Sequence, residues 1–244
     1  WWLGKVIILK KFQNLNFNFD IKEFDNLITY IIISMLLGGR IGYVLFYNLE
    51  YYTSNPFDII KIWEGGMSFH GALAGIILST YWFSVKKKIP TFFLLDIISF
   101  VAPIGIFFGR IANFINGELV GKISSVSWSV IFPNVDMMPR HPSQLYEAIL
   151  EGLLLFILML IVSVKGGLKR PGLISGIFFA GYGISRFFVE FFRVADAQFI
   201  SLENPRGYVY QLGELGVTMG QLLSLPMLLL GFVFILFNIG RKVN

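Results

Sequence analysis

The stretch Phe92-Phe93-Leu94-Leu95-Asp96-Ile97-Ile98-Ser99-Phe100-Val101-Ala102-Pro103-Ile104-Gly105-Ile106-Phe107-Phe108-Gly109-Arg110-Ile111-Ala112-Asn113-Phe114-Ile115 decides the fold. It carries one charge near each end, Asp96 and Arg110, and is otherwise uncharged. As a helix it is long enough to cross a hydrocarbon core of roughly 30 Å. A transmembrane strand would alternate apolar with polar residues, and this run does not. Runs of the same kind lie near Leu27–Tyr47, Met67–Val85, Tyr146–Val164, Gly172–Phe192 and Met219–Ile239. Trp1–Leu9 is apolar apart from Lys5 and too short to span, and it reads as the end of a first helix whose beginning is absent. The sequence therefore predicts an all-α fold. It is a polytopic transmembrane helix bundle of about seven helices, the first truncated, in a single membrane domain over 1–244. Composition agrees, with 55% hydrophobic residues and 14% charged, against about 25% charged in soluble proteins.

The connections between runs set the orientation. One set carries Lys10, Lys11, Lys22, Lys86, Lys87, Lys88, Lys165, Lys169, Arg170, Arg241 and Lys242. The other carries Lys61, Lys122, Arg140 and Arg206, with Arg193 at its edge. Cytoplasmic loops hold the excess of Lys and Arg, so the richer set lies on the cytoplasmic side. The connections 117–141 and 194–218 then lie outside and are long enough for a small external cap. The net charge of +5 comes from these loops and forms no single patch, so nucleic acid is not an expected partner. The chain has no cysteine, which excludes a disulfide framework, a thiolate metal site and a cysteine nucleophile. Two histidines, His70 and His141, are too few for a multi-histidine metal site, and neither metal nor cofactor is expected.

Arg40, Arg110, Arg186 and Glu190 fall inside apolar spans. A charge such as Arg or Asp at the bilayer centre costs about 2.5–3.5 kcal/mol on insertion scales, so these groups should face the bundle interior, paired or wet. Chain direction puts Arg40, His70, Arg110, Arg186, Glu190 and Arg193 toward the outer leaflet. Glu147 and Glu151 open the following helix on that same side. Asp96 lies near the cytoplasmic end of its helix and reads as an interfacial charge close to the headgroups. Tyr182, Arg186, Glu190 and Arg193 are spaced by four, four and three residues, which places them on one helix face. A plain Arg186–Glu190 ion pair is the bland reading of that face, and ionisable residues within a membrane more often mark function. A secondary transporter of an organic anion would also carry buried Arg and Glu. Such transporters commonly show inverted repeats and midplane binding, and no repeat is visible here.

The stretch Gly109-Arg110-Ile111-Ala112-Asn113-Phe114-Ile115-Asn116-Gly117-Glu118-Leu119-Val120-Gly121 ends an apolar helix with an arginine, two asparagines and a glutamate. A guanidinium fork suits phosphate, and asparagine offers both donors and acceptors. This stretch resembles the signature of the prolipoprotein diacylglyceryl transferase family. The resemblance extends through Gly38-Gly39-Arg40-Ile41-Gly42-Tyr43, Gly65-Gly66-Met67-Ser68-Phe69-His70-Gly71 and Arg140-His141-Pro142-Ser143-Gln144-Leu145-Tyr146-Glu147. It continues through Tyr182-Gly183, Arg186, Val189-Glu190-Phe191-Phe192-Arg193 and Met219-Gly220-Gln221. The family's His-Gly-Gly-Leu stands here as His70-Gly71-Ala72-Leu73.

The resemblance implies phosphatidylglycerol as donor and the lipobox cysteine of a preprolipoprotein as acceptor, both met at the membrane. A thioether-linked diacylglyceryl group and glycerol 1-phosphate are the products. The acceptor thiol must lose its proton, because thiolate is the nucleophile. His70 is the candidate base, since a histidine pKa near 6.5 suits proton transfer at neutral pH. Arg110 and Arg186 are the candidate phosphate ligands, with Glu190 orienting Arg186. Asn113, Glu118, Gly121, Tyr182, Arg193 and Arg40 complete the expected phosphatidylglycerol site. His141, beside Pro142, takes a structural or headgroup role.

Overall fold

The helices gather into two units, residues 1–95 and 96–244. The computed structural model describes residues 1–11, 21–195, 199–212 and 215–239. Four helices are long and apolar enough to cross a membrane: Lys22–Leu45, Thr91–Asn116, Ser143–Val164 and Met219–Asn238. Leu173–Val189 is a shorter apolar helix. The protein is thus a predominantly helical, polytopic membrane protein. Four spans, rather than the expected number, meet both criteria of length and hydropathy among the described residues.

The first unit holds α1 (Trp2–Lys11), α2 (Ile21–Tyr47), α3 (Leu49–Ser54) and α4 (Phe69–Lys87). Two glycine pairs four residues apart, Gly38 with Gly42 and Gly71 with Gly75, bring α2 and α4 together. A Cβ on Gly38 would strike the Gly71 carbonyl, one on Gly71 would strike the Gly38 carbonyl, and one on Gly75 would strike the Ser34 carbonyl. Small residues repeated at this spacing let membrane helices touch backbone to backbone. A 2.8 Å hydrogen bond from Ser34 Oγ to Ser79 Oγ joins the same pair of helices. Ser68 caps α4 by accepting from the Gly71 N–H. The helix ends in Lys86 and Lys87, with Lys88 in the left-handed region (φ 55) ahead of Pro90.

In the second unit α5 (Thr91–Asn116) enters from the end of the first. It is followed by a two-stranded sheet, β1 (Val130–Ile131) with β2 (Pro139–Arg140). One continuous helix then begins as α6 (Ser143–Glu147), widens into a π-helical segment over Ala148–Leu154 and continues as α7 (Leu155–Val164). Next come α8 (Leu173–Val189), the hairpin β3 (Tyr208–Leu212) with β4 (Leu215–Thr218), and α9 (Met219–Ile239). The two small sheets lie in the connections and have no signal in the hydropathy pattern. Gly231 meets the Ala180 backbone and Gly176 meets Phe234, so α8 and α9 lie close along their length. Ile97, Met159, Ile174 and Val189 are fully buried, while Leu229, Leu236 and Phe237 of α9 stand exposed.

Asp96 departs from the interfacial reading. It is buried and accepts from Gly172 N–H at 2.7 Å, Ser175 N–H at 2.8 Å and Ser175 Oγ at 2.7 Å. It thereby satisfies donors at the start of α8, which otherwise lack intrahelical partners. α8 also stops at Val189, three residues short of the sequence expectation. The chain turns there because Phe192 O accepts from the Lys122 N–H at 2.8 Å and Arg193 bridges to Gly121.

Candidate active site

Three segments of the second unit knit together at one end of α5. Gly117 (φ 68) and Leu119 (φ 53) turn the chain sharply after the helix. The Gly121 N–H donates to His141 O at 3.1 Å, and His141 N–H donates to Lys122 O at 3.0 Å. A side chain on Gly121 would collide with His141 O and Phe192 O, so only glycine fits between these two strands of chain. Gln144 Nε2 donates to Glu118 O at 2.6 Å and Ser143 Oγ donates to Leu119 O at 3.1 Å, fixing the start of α6 on the signature loop. Arg140 Nη1 donates to Gly121 O at 3.0 Å while its Nη2 pairs with Asp136 at 2.5 Å.

Inside this frame lies an ion network of three arginines and three glutamates. Glu147 is its hub and is fully buried. Its Oε1 accepts from Arg186 Nη1 at 2.5 Å and from Arg193 Nη1 at 2.8 Å, and its Oε2 lies 3.2 Å from Arg110 Nε. Arg186 Nη2 lies 2.9 Å from Glu190 Oε2, so the pair read from the α8 spacing is formed. Glu190 Oε1 accepts from Thr218 Oγ1 at 3.0 Å, and a side chain on Gly220 would meet the Glu190 carboxylate at 2.6 Å. Arg110 Nη2 lies 3.3 Å from Glu151 Oε2. The buried Tyr182 is near enough to act electrostatically on both Arg110 and Arg186. Fully ionised, the six groups sum to zero charge. Such a network is costly to assemble in a low dielectric, and ionisable groups kept within a membrane mark function.

Arg110 and Arg186 keep 17% and 16% of their side chains exposed, against 6% for Arg193. Two guanidiniums on partly exposed side chains, backed by carboxylates that hold them in place, form a site able to receive an anionic phosphate. Asn113 Nδ2 donates to Glu118 Oε2 at 2.9 Å on the exposed side of the signature loop. Tyr146 OH accepts from Trp128 Nε1 at 2.7 Å and lies 3.1 Å from His141 Nδ1. Burial, and secondarily the Lys122 charge, hold the His141 pKa below its usual value, which fits a neutral ring in this contact.

Comparison with known proteins decides the class. The sequence model of the family described as prolipoprotein diacylglyceryl transferase matches residues 1–237. The chain belongs to this family. A relative from Ruegeria pomeroyi named phosphatidylglycerol–prolipoprotein diacylglyceryl transferase is 52% identical over 222 residues, covering 87% of this chain and 75% of its own length. Relatives of the same name from Rickettsia rickettsii and Azospirillum brasilense are 52% and 50% identical, covering 86% of this chain and 77% and 75% of their own lengths. The chain is therefore an enzyme, a diacylglyceryl transferase, and a multi-pass inner-membrane protein.

Of the residues that the sequence proposed for the transferase site, Arg110, Tyr182, Arg186, Glu190 and Arg193 come together in the network. Asn113, Glu118 and Gly121 build the adjoining loop. Arg40 belongs to the first unit, where it is buried and donates to the carbonyls of Asp58, Ile59, Lys61, Gly65 and Gly66. His70 sits in the first turn of α4, and its side chain lies outside the described residues. Sequence reasoning placed Glu147 and Glu151 on the outer side without assigning them to the site. Their spacing of four on an apolar helix was the available signal.

Proposed function

We propose that this transferase seats the phosphate of phosphatidylglycerol on Arg110 and Arg186 and delivers its diacylglyceryl group to the lipobox cysteine of a preprolipoprotein. The thiolate sulfur forms a bond to the terminal carbon of the diacylglyceryl moiety. The bond from that carbon to the phosphate oxygen breaks, and glycerol 1-phosphate leaves with the electron pair. His70 takes the thiol proton. Asn113, Glu118 and Tyr182 reach the headgroup, and Glu190 orients Arg186. Arg193 and Arg40 position their surroundings, since one is tied to Glu147 and the other holds five loop carbonyls. The reaction side faces the outer leaflet of a bundle of about seven helices, with 117–141 and 194–218 forming a small external cap.

The partly exposed arginine pair braced by the fully buried Glu147 carries this reading. A guanidinium already fixed by a carboxylate need not reorganise as charge builds on the leaving phosphate. The test is transfer from phosphatidylglycerol to a synthetic lipobox peptide, with a Cys→Ser peptide as control. A cysteine-dependent mass gain of one diacylglyceryl group with release of glycerol phosphate is expected. No transfer by folded, membrane-inserted protein would overturn the reading. His70→Asn is expected to lose transfer across about pH 6 to 8, either side of a histidine pKa. Full activity over that range would remove His70 as base.

A further inference from the structure

Resting on the phosphate-binding role of Arg110 and Arg186, we propose that Glu151 takes up one proton when the anionic headgroup binds. Donor binding and protonation of this carboxyl are then a single event. The argument begins with charge. The cluster is neutral when Arg110, Arg186, Arg193, Glu147, Glu151 and Glu190 are all ionised, and a phosphodiester adds one negative charge. No fourth cation joins the cluster among the described residues of this unit.

The three carboxylates are not held alike. Glu147 meets all three arginines, and Glu190 meets Arg186, Arg193 and the Thr218 hydroxyl. Among the described residues Glu151 is held only by Arg110 Nη2 at 3.3 Å, the longest hydrogen bond to a glutamate in the cluster. Its Oε1 has no hydrogen-bond partner although the residue is fully buried. Among the described residues, the charged and titratable groups facing it are Arg110 from α5, Glu147 from α6, and Tyr182 and Arg186 from α8. When the phosphate draws Arg110 Nη2 while Nε stays on Glu147, Glu151 loses the one hydrogen bond it has among the described residues. An ionised carboxylate buried without a partner is avoided by neutralisation. The neutral acid also gains an O–H with which to donate. Glu151 is on this account a positioning residue, tuning how tightly Arg110 engages the donor.

The experiment measures the KM for phosphatidylglycerol from about pH 6 to pH 9 in proteoliposomes, with native protein and Glu151→Gln. The amide mimics the protonated acid. One linked proton makes the native KM rise about tenfold per pH unit over at least one unit of that range. Glu151→Gln is expected to keep transferring, with KM constant to about twofold, since no proton is linked to binding. A flat native KM overturns the proposal, and so does a native-like slope in Glu151→Gln. If that variant does not fold, proton uptake is read on the native protein alone, by adding phosphatidylglycerol to weakly buffered detergent solution containing a pH indicator. One proton taken up per headgroup bound is expected, and none overturns the proposal. Normal transfer by Arg110→Ala would instead sink the phosphate-site reading beneath it. An inactive Arg110→Ala with a flat native KM would sink only the proton uptake.

Discussion

Arg110 and Arg186 differ from Arg193 by the partial exposure of their side chains, and the three should respond differently to truncation. Arg110→Ala and Arg186→Ala are expected to lower transfer by about 100-fold or more while the protein still inserts, as loss of fixed charge at a leaving group does. Transfer by each purified variant checks this, and near-native rates from Arg110→Ala would remove it as a phosphate ligand. Glu147→Gln should act first on stability. It takes a charge from the centre of three arginines, and breaking a buried pair costs about 3–5 kcal/mol. A fall in melting temperature in detergent, measured beside activity, shows it. The four-residue rhythm of Tyr182, Arg186 and Glu190 was legible because a helix makes such neighbours local. The hub was not, since Glu147 meets Arg186 across 39 positions and a contact that distant leaves no periodic trace. Arg40 was legible as a charge needing burial, but its partners are backbone carbonyls, which every residue possesses and no sequence distinguishes.

At the scale of elements, hydropathy located the start of α2 to six residues and the other helix ends to three, and missed what ends them. α8 stops where its backbone joins the signature loop, an interaction between chain segments that apolar content does not register. Asp96 shows the same limit, since its burial follows from the orphan N–H groups of a helix far along the chain. The glycines of α2 and α4 were quoted as motif, and their physical role is the close approach of two backbones. Gly71→Ala places a methyl group against the Gly38 carbonyl and is expected to cost about 1–3 kcal/mol, the usual penalty of overpacking. Thermal unfolding in detergent would register the loss, and an unchanged melting temperature would show that the helix pair relaxes freely.

For the whole molecule, loop charge is the only determinant of orientation on which the sequence could draw, and it makes a sharp prediction. The chain contains no cysteine, so single cysteines can be introduced without background. Ser125→Cys, in the connection after the signature, should react with an impermeant maleimide added to spheroplasts. Lys88→Cys, in the lysine-rich turn, should react only after permeabilisation. The reverse pattern would invert the topology and place the reaction side in the cytoplasm.

The π-helical segment at Ala148–Leu154 has a consequence of phase. A π bulge is an α-helix holding one residue more than its geometry wants, and one residue rotates a regular helix by about 100°. Beyond the segment, Leu155 and Met159 fix the rotation of α7 by facing inward. Ahead of it, Gln144 and Glu147 fix the rotation of α6 by their own burial. The surplus residue lets the two halves keep separate clocks, one set by packing and the other by chemistry. Deleting one apolar residue between 148 and 154 would leave composition and hydropathy almost untouched, yet it would turn Glu147 relative to the packed face of α7, a frameshift written in angle rather than in code.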